Sequence, residues 1–276
     1  MMTPKLILTD LDGTLLSRHR AVSPANLAAL NRAAERGAEI VVATGRFYGG
    51  LPRELAELPF LRYFILMNGA KVYDRQEDRI LYRAEIPLER AEALFDYMEG
   101  QDATVDCYQN DLALMDRRYY DRLDYYIPDH DSRELVRAIR TPVTDFRTRV
   151  RAGGGTVQKV QCYFPHLEVR PRVMEHLSRE FPDLVQSISM PANLEINHAG
   201  ATKGAALEAL CSALGVDVKD TAAFGDGTND LSMLQTAGMG VAMANGAPEV
   251  LAAADRIAPP CEEDGVAQVL NEWFPE

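Results

Sequence analysis

Lys5-Leu6-Ile7-Leu8-Thr9 runs directly into Asp10-Leu11-Asp12-Gly13-Thr14 near the start of the 276-residue chain. A short apolar run that stops at an acid reads as a buried strand ending in a polar turn. Ser23-Pro24 then opens a helix with a capping hydroxyl and a proline at its first position, and Gly37 closes it. Residues 39–43 (EIVVA) form the next β-branched run and end at Thr44-Gly45-Arg46. A helix to about Leu58 and a strand from Tyr63 to Met67, ending at Asn68-Gly69, follow. Buried strands that each end in a polar or glycine turn before a helix predict an α/β, Rossmann-like parallel-sheet core.

The same rhythm returns late in the chain. Residues 203–214 read as a helix with Ala206, Leu207, Leu210 and Leu214 on one face, and 221–224 as a strand ending at Gly225-Asp226. A helix over 230–237, a strand over 240–243 and a helix over 248–254 complete it. The middle is different. Hairpin signals at 71–74 and 79–86 precede a helix over 88–99, strands near 104–108 and 112–115, and a helix face marked by Tyr119, Leu123 and Tyr126. A strand over 157–164, a helix through Arg179 and strands over 184–190 and 193–197 follow. This pattern predicts an inserted α+β domain, 84–192, inside a discontinuous core of 1–83 and 193–276.

Hydrophobic residues make up 47% of the chain and charged residues 25%, which excludes a disordered or collagen-like sequence. Acids outnumber Lys and Arg 41 to 29, a net charge of −12, which argues against a broad nucleic-acid footprint or an anionic-membrane partner but leaves room for a small anionic ligand held by a few local cations. Cys107, Cys162, Cys211 and Cys261 form no CxxC pair, and the acid at position 10 comes too early for a secretory apolar segment. A cytoplasmic location is expected.

Three turns carry the chemistry. Two carboxylates two residues apart at a strand end, Asp10 and Asp12, repel and call for a cation or a shared proton, and Gly13 lets the backbone turn. Gly225-Asp226-Gly227-Thr228-Asn229-Asp230 offers further hard oxygen donors at another strand end. The competing reading of each is a helix cap, but two acidic turns on one edge of a parallel sheet speak for a site. Thr44 and Gly45 present a hydroxyl and amides suited to an anion or a cap. Lys203 opens a helix, a poor place for a cation unless an anion lies near.

The order DLDGT, ATGR, Lys203-Gly204 at a helix start, then GDGTND resembles the haloacid dehalogenase superfamily. The large insert between the second and third motifs, with Asn68-Gly69-Ala70 and Asp264-Gly265-Val266, is similar to the Cof-type phosphatases with a class IIB-like cap. The resemblance implies a Mg²⁺-dependent phosphatase acting on a small phosphomonoester through an aspartyl-phosphate. Asp10 is then the nucleophile and Asp12 the general acid and base. Mg²⁺ sits on Asp10, Asp12 (through its carbonyl), Asp226 and, directly or through water, Asp230. Thr44, Gly45, Lys203 and Asn229 hold the phosphoryl oxygens. A sugar phosphomutase and a non-catalytic phosphometabolite-binding regulator are the alternatives. Arg46 is read as a partner of the acidic cluster and left out of the substrate site. Arg147, Arg149 and Arg151 read as a solvated face, and the five histidines form no metal-ligand pattern.

Overall fold

Leu6–Thr9 is completely buried and pairs in parallel on both sides, with Thr221–Gly225 and with Glu39–Ala43. The computed structural model describes residues 3–17 and 21–276. Around this central strand lies an eight-stranded sheet in the order 256–258, 239–243, 221–225, 6–9, 39–43, 61–66, 71–74 and 79–83. The first six of these strands are parallel, as expected. The hairpin Lys71–Asp74 and Arg79–Arg83 then extends the sheet antiparallel from Leu61–Leu66. The core is therefore a mixed sheet with a parallel centre.

The order of strands places the site. From Leu6–Thr9 the chain first winds one way, through 39–43 to 61–66, and later returns on the other side through 221–225, 239–243 and 256–258. The winding reverses between Leu6–Thr9 and Thr221–Gly225, and ligands bind outside the carboxyl ends of strands at such a reversal. The register pairs Thr9 with Phe224, and the Asp10 amide donates to the Phe224 carbonyl at 2.9 Å. Asp10 and Asp226 therefore leave neighbouring strands on the same edge.

Local signals explain the helices. Ser23 caps Pro24–Glu35, its hydroxyl accepting from the Asn26 amide, and Thr202 caps Lys203–Leu214 through the Ala205 amide. The helix expected to reach Leu58 is replaced by a single turn at Tyr48–Gly50 and a four-residue helix, Arg53–Ala56. Gly49, Gly50 and Pro52 account for this, since paired glycines and a proline interrupt a helix.

The chain divides into two compact units, Met1–Arg83 with Thr202–Glu276, and Ala84–Ala201. The boundary expected at residue 193 is corrected. Asn193–His198 is an interior strand of the second unit, antiparallel to both Lys159–Tyr163 and Leu184–Ser187. The six-stranded sheet of that unit runs 184–187, 193–198, 159–163, 106–109, 112–116 and 141–143. The single strand expected over 157–164 breaks at Gln158. Thr156–Val157 pairs with Ile86–Pro87, while Lys159–Tyr163 joins the main sheet.

Alternation sorts the two faces of this sheet. Cys107, Val160, Cys162, Leu194 and Ile196 join an apolar core with Leu94, Phe95, Val173 and Leu177. The alternate residues Asp106, Tyr108, Gln161 and Tyr163 are also buried but polar. They converge on Arg140, whose guanidinium is completely buried against Asp106 and donates to the Tyr108 hydroxyl at 2.9 Å and to Gln161 Oε1 at 3.0 Å. Removing one partner of such a pair strands the other charge. Asp106→Ala should lower the unfolding free energy of this unit by about 3–5 kcal/mol, measured by denaturant titration. A loss below about 1 kcal/mol, the scale of an exposed pair, would contradict the assignment of a buried ion pair.

Candidate active site

Lys203 is the first residue of its helix and is completely buried. Its Nζ donates to Asp10 Oδ1 at 2.6 Å and to Asp230 Oδ1 at 2.5 Å. Burial pushes the ammonium toward neutrality, but the Asp10 and Asp230 carboxylates overcome it and hold the group above its ordinary range. The anion that the position of Lys203 calls for is thus supplied by two strand-end acids.

Asp230 has both oxygens engaged. Oδ1 faces Lys203, and Oδ2 accepts from the amides of Asp226 and Gly227 at 3.0 and 2.9 Å. This closes the turn that follows Thr221–Gly225 and aims Asp226. Thr14, at the end of the first acidic turn, donates its hydroxyl to Asp226 Oδ1 at 2.7 Å. Gly13 has φ +94°, and a Cβ there would lie 2.3 Å from Asp226 Oδ2. Only glycine allows both that backbone and that approach.

The carboxylates of Asp10, Asp226 and Asp230 each offer an oxygen within 4.8 Å of the others. Burial, opposed by Lys203 and reinforced by Asp230, Asp226 and Asp12, holds the Asp10 carboxyl well above the usual carboxylate range. Burial likewise lifts Asp226 to about 6, against the hydrogen bond from Thr14. Three carboxylates stand against one ammonium. The donors are hard oxygens, so the set suits a magnesium-like cation.

The Thr44 turn is tied to the same edge. The Thr44 carbonyl accepts from the Asn68 amide at 3.0 Å, and Asn68 Oδ1 accepts from Asn229 Nδ2 at 3.1 Å. Thr44 is buried and its hydroxyl accepts from the Arg46 amide at 3.2 Å. Gly45 follows Thr44 directly. Asp12 is the exception. Its side chain is half-exposed and turned onto Arg46, with Nη2 to Oδ1 at 2.5 Å and Nε to Oδ2 at 2.8 Å.

Thr14 and Asn68 also shape the site and were not expected to. The Asn68 signal was its position after a strand end; its backbone is left-handed at φ 61°, a conformation asparagine tolerates.

A reversal-point sheet edge with clustered carboxylates, a buried lysine and a capping threonine defines a phosphoryl-handling α/β hydrolase. The family model of haloacid dehalogenase-like hydrolases matches residues 7–270, and the chain belongs to that family, in its Cof-type branch. It is 31% identical to an HMP-PP phosphatase of Serratia proteamaculans, over 98% of this chain and 95% of the relative. It is 30% identical to the 5-amino-6-(5-phospho-D-ribitylamino)uracil phosphatase YitU of Bacillus subtilis, over 98% of each. The fold matches the HAD subclass IIB sugar phosphatase BT4131 with a TM-score of 0.81 at 24% identity, over 98% of both chains.

Asp226→Asn should therefore have opposite effects with and without Mg²⁺. In excess chelator at pH 7.5 the variant should be the more stable protein, because one of three crowded carboxylates is gone. A carboxyl whose folded pKa (about 6) lies above its unfolded value (about 4) contributes stability that is complete below pH 4 and lost as the pH rises through 6. The advantage of the variant should accordingly disappear below pH 4. With saturating Mg²⁺ the wild type should gain several degrees and overtake it. Thermal melts that keep one order in both conditions would exclude Asp226 from the cation site.

Proposed function

We propose that this chain, a phosphatase of small phosphoesters, works through a phosphoryl group carried transiently on Asp10. The supporting observation is the placement of the Asp10 carboxylate at a strand end, 2.6 Å from the buried Lys203 ammonium and clustered with Asp226 and Asp230. An ionised carboxylate needs no base to attack, and, against the burial that opposes it, the Lys203 ammonium favours that form of Asp10. Its difficulty is meeting an anionic phosphate, and that is an electrostatic problem.

Asp10 attacks phosphorus in line with the departing oxygen, and the ester P–O bond breaks as the new P–O bond forms. Asp12 gives a proton to the departing alkoxide and then takes one from the water, whose attack on phosphorus breaks the bond to the Asp10 oxygen and releases free phosphate and the Asp10 carboxylate. Lys203 stabilises the equatorial oxygens in the transition state, with Thr44, the Gly45 amide and Asn229 as donors around the phosphoryl group. Mg²⁺ when bound supplies two positive charges to the nucleophile and the phosphate. Asp10 and Asp226 would hold it by their carboxylates and Asp12 by its carbonyl. Asp230, with both oxygens bonded, would act on the ion through its hold on Lys203 and on the Asp226 turn.

The named relatives support a small phosphorylated metabolite as substrate, which this reading takes to be a sugar phosphate or a phosphorylated cofactor. No described helix is long and apolar enough to cross a membrane. Four free cysteines, three of them buried, support a reducing cytoplasm.

A panel of phosphomonoesters assayed with Mg²⁺ tests this reading. Free phosphate should be released, and an isomeric sugar phosphate would instead identify a mutase. Asp10→Asn should lower turnover by at least ~10³-fold while the far-ultraviolet spectrum is unchanged. Retention of most wild-type activity, without deamidation back to Asp, would remove Asp10 as nucleophile.

A further inference from the structure

Arg46 follows the Thr44 turn, pairs with the acidic cluster through Asp12, and has no role in the mechanism above. Its guanidinium grips both oxygens of Asp12, and its Nη1 donates to the Gly50 carbonyl at 3.2 Å. The Arg46 side chain is 17% exposed, whereas that of Asp12 is 55% exposed. Its backbone is fixed as well, with the amide donating to Thr44 Oγ1 and the carbonyl accepting from the Met67 amide at 3.0 Å. The better anchored member of the pair is the arginine. An exposed aspartate left alone samples several rotamers, and two parallel bonds from a planar fork select one.

We propose that Arg46 is the positioning residue of Asp12, setting the direction from which this carboxyl exchanges protons during turnover. The inference rests on the phosphatase reading above and deepens it. A carboxylate has about four acceptor positions, and a bidentate guanidinium occupies two. The other two remain open for water or a leaving-group oxygen. To act as an acid, Asp12 must carry a proton on one oxygen, and one of the two Arg46 bonds then opens while the other keeps the carboxyl in place. A lysine keeps the charge but lacks the fork.

The leaving group separates this role from a structural one. A nitrophenolate departs without a proton, whereas a sugar alkoxide needs one. In Arg46→Ala, kcat/KM for an alkyl phosphomonoester turned over by the wild type should fall ~10²-fold. For p-nitrophenyl phosphate it should fall less than ~10-fold. The loss on the alkyl ester should lie in kcat rather than KM, because the phosphate donors are intact. Arg46→Lys should recover part of it, and Arg46→Ala added to Asp12→Asn should cost nothing further, because the pair acts as one unit. An equal fall on both esters, a rise on the alkyl ester, or a full additional loss in the Asp12→Asn background would overturn the assignment while leaving the phosphatase reading standing. A wild type that hydrolyses neither ester would overturn that reading and this assignment with it.

Discussion

One buried ammonium holds the candidate site together. Lys203 is fully removed from water and bonded to Asp10 and Asp230, which leave two different strands of the sheet. Burying an ion without counter-charges costs several kcal/mol, so the lysine is tolerated only where those strand ends meet. The dependence runs both ways, since burial and mutual repulsion push the carboxyls toward protonation and Lys203 opposes this at Asp10. A nucleophile that must stay anionic in a dry site thus has its counter-ion built in. The remaining negative charge, at Asp226 and Asp230, suits a divalent cation and not a second fixed lysine.

The topology makes this meeting possible. Asp10 and Asp226 are far apart in sequence, yet Thr9 and Phe224 are register partners in neighbouring parallel strands. The sheet reverses its winding between those strands, and such a reversal is where ligands bind outside the carboxyl ends. Short contacts then aim each group. Thr14 holds Asp226, Asp230 closes the Asp226 turn with two amides, and Asn68 joins the Thr44 turn to Asn229. The first and last of these are bonds between turns and the second lies within one turn, and each turn begins where a buried strand stops.

That regularity is why much of the site was legible in the sequence. Every apolar run that ended in Asp, Thr-Gly or Gly-Asp marked both a strand end and a chemical group, and parallel pairing put these groups on one edge. What was not legible depended on which side chains meet. Arg46 is legible as a partner of the acidic cluster, but nothing in the spacing shows that its partner is Asp12, or that Asn68 faces Asn229, because both contacts cross between turns. The strand over 193–197 follows the α+β pattern of the insert, yet the boundary expected at 192 leaves it on the core side. Its backbone pairing assigns it to the second unit, and alternation along one strand does not identify its neighbours. The buried polar face around Arg140 was equally hidden, since its residues alternate with Cys107 and Cys162 as they would in a solvated strand. The short helix at Arg53–Ala56, where a helix to Leu58 is expected, follows from Gly49, Gly50 and Pro52.

The account turns on two displacements at phosphorus, the first by Asp10 and the second by water. Each in-line displacement inverts the phosphorus centre, so the stereochemical course of hydrolysis counts them. With an isotopically chiral thiophosphoryl ester as substrate, the account predicts net retention of configuration in the released thiophosphate. Net inversion would show a single displacement by water and would contradict a covalent role for Asp10.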